Sequence, residues 1–160
     1  MNPSATSPTA IRAEQVDHVA AQLLPQAALL TRLLVKRLGA EISRTEAGVL
    51  HSVSSGPRRI TELAELEGLA QPTMTLLVQR LEQHGWVKRE RHAGDGRVVL
   101  VSVTEAGLAK LDEFRAQVAD ALRAHMDAMA DEQIAALETA TETLGSLVDA
   151  LQRGGRGAPR

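Results

Sequence analysis

The stretch that decides the fold is "TELAELEGLAQPTMTLLVQRLEQHGWVKRERHAGDGRVVLVSV", residues 61–103. It opens with a short helical pattern that Thr61 can cap and that Gly68 can end. A second helical pattern starts beside Pro72, a residue that suits the first turn of a helix, and stops at Gly85. Two short helices joined by about four residues around a glycine have the geometry of a helix-turn-helix.

The spacing of apolar residues changes after the second helix. Residues 86–91, "WVKRER", and residues 98–103, "VVLVSV", are two short runs, the second rich in β-branched side chains. The segment between them, "HAGDGR", contains two glycines. This pattern predicts a β-hairpin with an irregular loop. A helix-turn-helix followed by a hairpin is a winged helix, which we place at residues 41–103.

The segments on the N-terminal side are predicted to be helical. Apolar residues recur at a helical period from Val16 to Leu38, and Pro25 inside this run predicts a kink or a late start of the helix. Ser43 and Glu46 have the spacing of a capping box, which predicts a helix over residues 44–54.

The C-terminal half predicts two long amphipathic helices, the first capped by Thr104. The second has a heptad-like apolar seam, formed by Ile134, Leu137, Thr141, Leu144, Val148 and Leu151. Because these helices and the first have more apolar surface than a small monomer can cover, we expect residues 14–40 and 104–152 to form a dimerisation region. A self-contained helical bundle is the alternative. The compositions of residues 1–13 and 153–160 predict a disordered leader and tail.

Composition excludes several classes of function. The chain has 160 residues and no cysteine, so disulfides, thiolate metal sites and thiol redox sensing are excluded. No apolar run approaches the roughly 20 residues that span a bilayer, and no signal peptide is evident, so we expect a soluble cytoplasmic protein. Residues 32–97 carry eleven basic and eight acidic side chains, whereas residues 105–150 carry three and ten. A mildly basic middle segment is compatible with a polyanionic partner.

The winged helix predicts contact with duplex DNA. Its second helix would enter the major groove, where Gln71, Thr73 and Thr75 can hydrogen-bond base edges or phosphates. Arg80, two turns later, would meet a phosphate or an internal acid. Arg97 at the hairpin tip would enter the adjacent minor groove. The alternatives are an ordinary helical hairpin beside a surface hairpin, and a protein-interaction module that reuses the winged helix, which the acidic long helices favour.

The chain resembles the MarR family of bacterial transcriptional regulators. Three segments carry the resemblance in the family's order: "SRTEAGVLHSV", "ITELAELEGLAQPTMTLLVQRLEQHGWVKRER" and "DGRVVLVSVTEAG". The resemblance implies a mainly α (α+β) protein, a winged helix-turn-helix with long N- and C-terminal dimerisation helices. It also implies a homodimer that binds a pseudo-palindromic operator in double-stranded DNA. We expect a repressor released by a small aromatic or anionic ligand, with no cofactor, no membrane partner and no enzymatic activity.

The resemblance also implies which residues contact DNA. It gives a recognition helix over residues 71–84 and a contact set of Gln71, Pro72, Thr73, Thr75, Leu76, Arg80, Asp95, Gly96 and Arg97. Asp95 would hold the wing by pairing with Arg91 or Arg58. The chain departs from the family at Ala70, where many members have a polar helix cap, and at Leu76, where many have a basic residue. Leu76 would then touch a thymine methyl group.

Two histidines are the candidate ligand contacts. By resemblance, His18 and His51 lie in helices that flank a cleft between the dimer core and the winged helix. The alternative is that both are ordinary packed or surface histidines. No histidine pair has i, i+4 spacing, so we expect no metal site. No nucleophile-elbow, P-loop or dinucleotide-binding motif occurs, and only a deep cleft with titratable residues of perturbed pKa would favour an enzyme.

Overall fold

The computed structural model of the protein describes residues 8–39, 41–92 and 95–154. The elements in chain order are α1 (Pro8–Leu38), α2 (Arg44–Ser54), β1 (Arg58–Arg59), α3 (Ile60–Glu67), α4 (Gln71–Gln83), β2 (Val87–His92), β3 (Asp95–Val103), α5 (Glu105–Met126) and α6 (Asp131–Gly154). The predicted class, mainly α with a winged helix-turn-helix, is confirmed. The chain divides into two compact units, residues 1–119 and 120–160, with the boundary inside α5.

The wing is part of a three-stranded antiparallel sheet with the strand order β1-β3-β2. In the predicted hairpin, Val87 pairs with Val103 and Arg91 pairs with Val99, and the register becomes irregular after Arg91. β1 was not predicted from the sequence, because two residues leave no periodicity. It pairs Arg59 with Leu100 of β3 and so joins the start of α3 to the wing.

The helix-turn-helix has the predicted order of elements. Gly68 ends α3 with φ 64°, a left-handed conformation that favours glycine. Pro72 lies in the first turn of α4, as expected. The predicted cap of α3 is wrong: the helix begins at Ile60 rather than after Thr61. Its N-cap is Arg59, whose backbone N–H donates to Glu62 Oε2 at 2.9 Å.

The core of the winged helix is built from aliphatic side chains of α2, α3, α4, the sheet and the start of α5. The buried cluster consists of Ile42, Ala47, Val49, Leu50, Val53, Leu63, Ala64, Met74, Val78, Leu81, Val87, Val101 and Leu111. On α4 the fully buried members are Met74, Val78 and Leu81, spaced four and three residues apart. This spacing places one face of α4 against the core and leaves the other face outward.

Two other caps agree with the sequence. The capping box of α2 is confirmed: the Glu46 N–H donates to Ser43 Oγ at 3.2 Å, and the Ser43 N–H donates to Glu46 Oε2 at 2.7 Å. Thr104 Oγ1 accepts the Gly107 N–H at 3.1 Å and caps α5. Ala70, the N-cap of α4, offers no side-chain hydrogen bond. The start of α4 therefore lacks a polar side-chain cap.

The N-terminal helix is longer than predicted. α1 begins at Pro8 and runs through Pro25 to Leu38, so the expected disordered leader is wrong for residues 8–13, and the late start near Pro25 is wrong. A proline removes one backbone hydrogen bond but leaves the flanking turns able to form. Large apolar side chains of α1 are exposed along most of its length: Ile11, Val16, Val19, Leu23, Leu24, Leu29, Leu30 and Leu33.

The C-terminal unit contains α6, which also exposes an apolar seam. The exposed members of this helix are Leu137, Leu144, Leu147, Val148 and Leu151. The helix continues to Gly154, so the expected disordered tail is wrong at residues 153 and 154. The rest of that predicted tail, residues 155–160, and residues 1–7 of the leader lie outside the described part of the chain.

Candidate nucleic-acid interface

The outward face of α4 brings together most of the residues predicted to contact DNA. Gln71, Pro72, Thr73, Leu76 and Arg80 are all exposed. Leu76 is 68% exposed on this face. Thr75 is half-buried, and its hydroxyl donates to the Gln71 carbonyl at 2.9 Å. The hydroxyl oxygen can still accept a hydrogen bond from another partner.

Arg80 forms an ion pair with an internal acid, one of the two alternatives that its position predicted. Its Nη2 lies 2.7 Å from Oε1 of Glu46, and the Glu46 side chain is only 2% exposed. The Arg80 side chain is 60% exposed on the same face as Leu76. Because a guanidinium has five N–H donors, one edge can serve Glu46 while the other remains available to an anion.

The wing supplies the other predicted contacts. The backbone of Asp95, Gly96 and Arg97 lies in β3, and Asp95 is opposite His92. The side chains of Asp95 and Arg97 lie outside the part that the structure describes, so their predicted contacts stay predictions. Of the two proposed partners of Asp95, Arg91 is exposed and Arg58 is half-buried, with its Nε donating to the Ser52 carbonyl at 3.4 Å.

A depression of about 350 Å³ separates the start of α4 from the wing. Its lining residues are Arg59, Ile60, Thr61, Gln71, Val98 and Val99. Gln71 was predicted to contact DNA, but Arg59 and Thr61 were missed as parts of this surface. Arg59 and Thr61 lie beside the wing because β1, at the start of α3, pairs with β3. The sequence signal for this arrangement is the basic pair at residues 58 and 59.

Other basic side chains near α4 have acidic partners. Arg89 Nε donates to Glu82 Oε2 at 2.7 Å, and this hydrogen bond lowers the pKa of Glu82. Lys88 donates to Glu90 at 2.9 Å. The positive charge of these two residues is therefore largely offset within the protein itself.

The two histidines predicted to bind a ligand lie on separate helices. His18 is exposed on α1. His51 is exposed on α2, and its Nδ1 lies 3.0 Å from Nη2 of Arg115, which can only donate, so Nδ1 is the acceptor. A groove of about 810 Å³ runs along α1, lined by Leu24, Ala27, Ala28, Thr31, Arg32, Val35, Lys36 and Arg44. Neither histidine lines this groove, and their role in ligand binding stays a prediction.

The winged-helix segment identifies the family. Residues 42–99 match the model of the MarR family. The winged helix of this chain is of the MarR family type. The match covers the helix-turn-helix and most of the wing, which are the elements that form the surface around α4. Among the described residues, no helix is long and apolar enough to cross a membrane.

Known relatives agree with this assignment. The HTH-type transcriptional regulator YpoP of Bacillus subtilis is 29% identical over 101 residues, which cover 62% of this chain and 72% of YpoP. The HTH-type transcriptional repressor YetL of Bacillus subtilis is 32% identical over 73 residues, 46% of this chain and 44% of YetL. Less than half of YetL is therefore matched.

A solved structure with the same fold contains DNA. Sco3205, a MarR family transcriptional regulator from Streptomyces coelicolor solved in complex with DNA, is 26% identical with a TM-score of 0.58. The similarity covers 86% of this chain and 89% of that protein. Family and relatives are transcriptional regulators rather than enzymes, so this MarR-family chain is a transcriptional regulator with a DNA-binding fold.

Proposed function

We propose that this MarR-family regulator binds a pseudo-palindromic operator as a homodimer and represses transcription. The observation that carries the proposal is the exposed outward face of α4, with Leu76 at its centre and polar side chains around it. A recognition helix needs a free outward face of this kind to enter the major groove. The complex of Sco3205 with DNA and the name of YetL as a repressor support the same role.

In the proposed complex α4 lies in the major groove. Gln71 and Thr73, at the start of the helix, hydrogen-bond base edges or phosphates. Leu76 contacts a thymine methyl group, which is the apolar feature of that groove. Arg97 enters the adjacent minor groove, whose negative potential attracts arginine.

The proposed dimer follows from the apolar surface that α1 and α6 each expose. Exposed leucine and valine side chains in rows along a helix usually mark an interface. In a twofold dimer the same surface serves both subunits, and two copies of α4 would reach half-sites about 10 bp apart. A ligand that favours a different distance between the two copies of α4 would release the protein from its operator. The groove on α1, with Arg32, Lys36 and Arg44 at its rim, suits an anionic aromatic compound.

The test is selection of bound duplexes from random DNA, followed by anisotropy titrations of the selected sequence at several salt concentrations. We expect one preferred sequence with twofold symmetry and a linear fall of log K with log salt. Arg97→Ala should weaken binding.

Leu76→Ala should weaken binding several-fold and relax the preference for thymine at one position of each half-site. Leu66→Ala is the matched control, because Leu66 is 59% exposed on α3 and lies outside the proposed interface. A protein that prefers no duplex and co-purifies with another protein would instead be the interaction module.

A further inference from the structure

We propose that Arg59 binds the DNA phosphate strand that passes between the recognition helix and the wing. The proposal rests on the proposed function. If α4 lies in a major groove and the wing in the adjacent minor groove, the sugar-phosphate backbone that separates the two grooves must cross the protein surface between them. On this protein that surface is the depression between Gln71 and Val98–Val99, and Arg59 is its charged lining residue.

The main chain of Arg59 is held firmly, whereas its side chain is exposed. Its backbone pairs with Leu100 of β3, and its N–H donates to Glu62 Oε2 at 2.9 Å. Among the side chains that the structure describes, which do not include those of residues 92–97, no carboxylate forms a salt bridge with its guanidinium. In this respect Arg59 differs from Arg89 and Lys88, which are both paired.

The surroundings of Arg59 suit a phosphate group. The planar guanidinium matches two phosphate oxygens through parallel N–H bonds. Thr61 and Gln71 line the same depression and add neutral polar groups, and Ile60 is its apolar neighbour.

Arg89 is the matched control for Arg59. Its guanidinium is paired with Glu82, and it lies outside the predicted contact set. The adjacent Arg58 is unsuitable as a control, because it is one of the two proposed partners of Asp95 in the wing. Replacing Arg59 or Arg89 by glutamine changes the net charge equally, but only Arg59 lines the depression that the proposed phosphate strand crosses.

The first experiment measures binding of the selected operator to wild type, Arg59→Gln and Arg89→Gln from low to high salt. Arg59→Gln should bind about tenfold more weakly at low salt, because a charged hydrogen bond to phosphate is lost. The slope of log K against log salt should fall in magnitude by about one per subunit. Arg89→Gln should keep the wild-type slope, and Arg59→Lys, which keeps the charge, should restore most of it. Thermal unfolding of each variant shows whether it is folded.

The second experiment replaces single operator phosphates by neutral methylphosphonates between each half-site and its flanking minor groove. At one position per half-site the replacement should weaken wild type but leave Arg59→Gln unaffected. Equal sensitivity of both proteins at every position, or an equal loss of slope in Arg89→Gln, would overturn the assignment. A wild-type protein that binds no duplex at all would refute the proposed function, and the role of Arg59 with it.

Discussion

Glu46 and Arg80 form an ion pair between α2 and α4, with 2.7 Å between Oε1 and Nη2. The other carboxylate oxygen of Glu46 accepts the Ser43 N–H at 2.7 Å and closes the capping box of α2. One buried carboxylate therefore fixes the start of α2 and holds α4 to it. A buried charge is stable only when its partners are present, so Arg80 has a structural role in addition to any contact with DNA.

Arg80→Ala should lower the free energy of unfolding by about 1–3 kcal/mol, because the buried carboxylate would keep only the Ser43 N–H as a partner. Urea unfolding measures this change. The double variant Glu46→Gln/Arg80→Ala should be less destabilised than the sum of the two single variants, because the two residues share one interaction.

Arg89→Ala is the control for the Arg80 variant. Arg89 also joins α4 to the following segment through a glutamate, Glu82, but both side chains are about one-third exposed. Arg89→Ala should therefore lower the free energy of unfolding by less than about 1 kcal/mol. Equal losses in the Arg80 and Arg89 variants would mean that burial of Glu46 does not set the strength of the pair.

Gly107 lies in the first turn of α5 against the backbone of Trp86. A Cβ at this position would overlap the Trp86 carbonyl oxygen, and that oxygen is fixed because it accepts the Thr104 N–H at 3.1 Å. Gly107→Ala must therefore move main chain, which should cost about 1–3 kcal/mol of stability. A lowered midpoint of thermal unfolding is the readout.

Gly145→Ala tests whether the loss of stability in Gly107→Ala comes from the contact between the added Cβ and the Trp86 carbonyl oxygen. Gly145 is also helical, in α6, and a Cβ there would meet no atom within 4 Å. This substitution should raise stability by up to about 1 kcal/mol, because alanine favours a helix more than glycine does. A Gly107 variant as stable as wild type would contradict the proposed overlap.

The elements that the sequence predicted well are those with local signals. The capping box of α2, the proline at the start of α4 and the glycine after α3 act within a few residues of the chain, so their patterns are visible without the fold. The outward face of α4 was predictable for the same reason, since the 3.6-residue period shows which side is buried.

The parts that were missed depend on contacts between distant residues. β1 is a strand only because Val101 and Leu100 of β3 pair with it, and Arg59 joins the α4 surface through that pairing. The partner of Arg80 remained open because Glu46 lies in another helix. The first turns of α1 were missed because the composition of residues 1–13 predicts disorder, and the helix continues through Pro25, where a kink or a late start is predicted.

The pH dependence of stability should include a contribution from Glu67. A Cβ at Gly48 would lie 2.5 Å from Oε1 of Glu67, so the missing side chain lets this carboxylate pack against α2. Burial raises the pKa of Glu67, although Arg44 and His51 act to lower it. Because the folded state binds this proton more tightly than the unfolded state, ionisation of Glu67 costs stability as pH rises above about 4.3.

Glu67→Gln cannot ionise and keeps the same shape. It should unfold at a higher temperature than wild type at pH 7, and the difference should disappear below about pH 4. Glu65→Gln, the same charge change at an exposed position of α3, should give a smaller difference at pH 7. A Glu67 variant that unfolds at a lower temperature than wild type at pH 7 would show that the attraction to Arg44 and His51 outweighs burial.

The exposed seam of α6 gives a test of the proposed dimer. Leu144 is at the middle of the seam, between Leu137 and Leu151, and all three side chains are exposed. Leu144→Glu would place a charge in the interface, and burying an unpaired charge costs more than the interface gains from one leucine. Sedimentation equilibrium should give a monomer at concentrations where wild type is a dimer, and operator binding should weaken because only one half-site is held.

Thr139→Glu is the matched control for the seam. Thr139 is two positions before the seam residue Thr141, so it lies on the opposite face of α6, and it is exposed. It adds the same negative charge and should leave both the dimer and operator binding intact. If Leu144→Glu sediments as a dimer like this control, the seam does not hold the subunits together, and the exposed face of α1 would become the surface to test next.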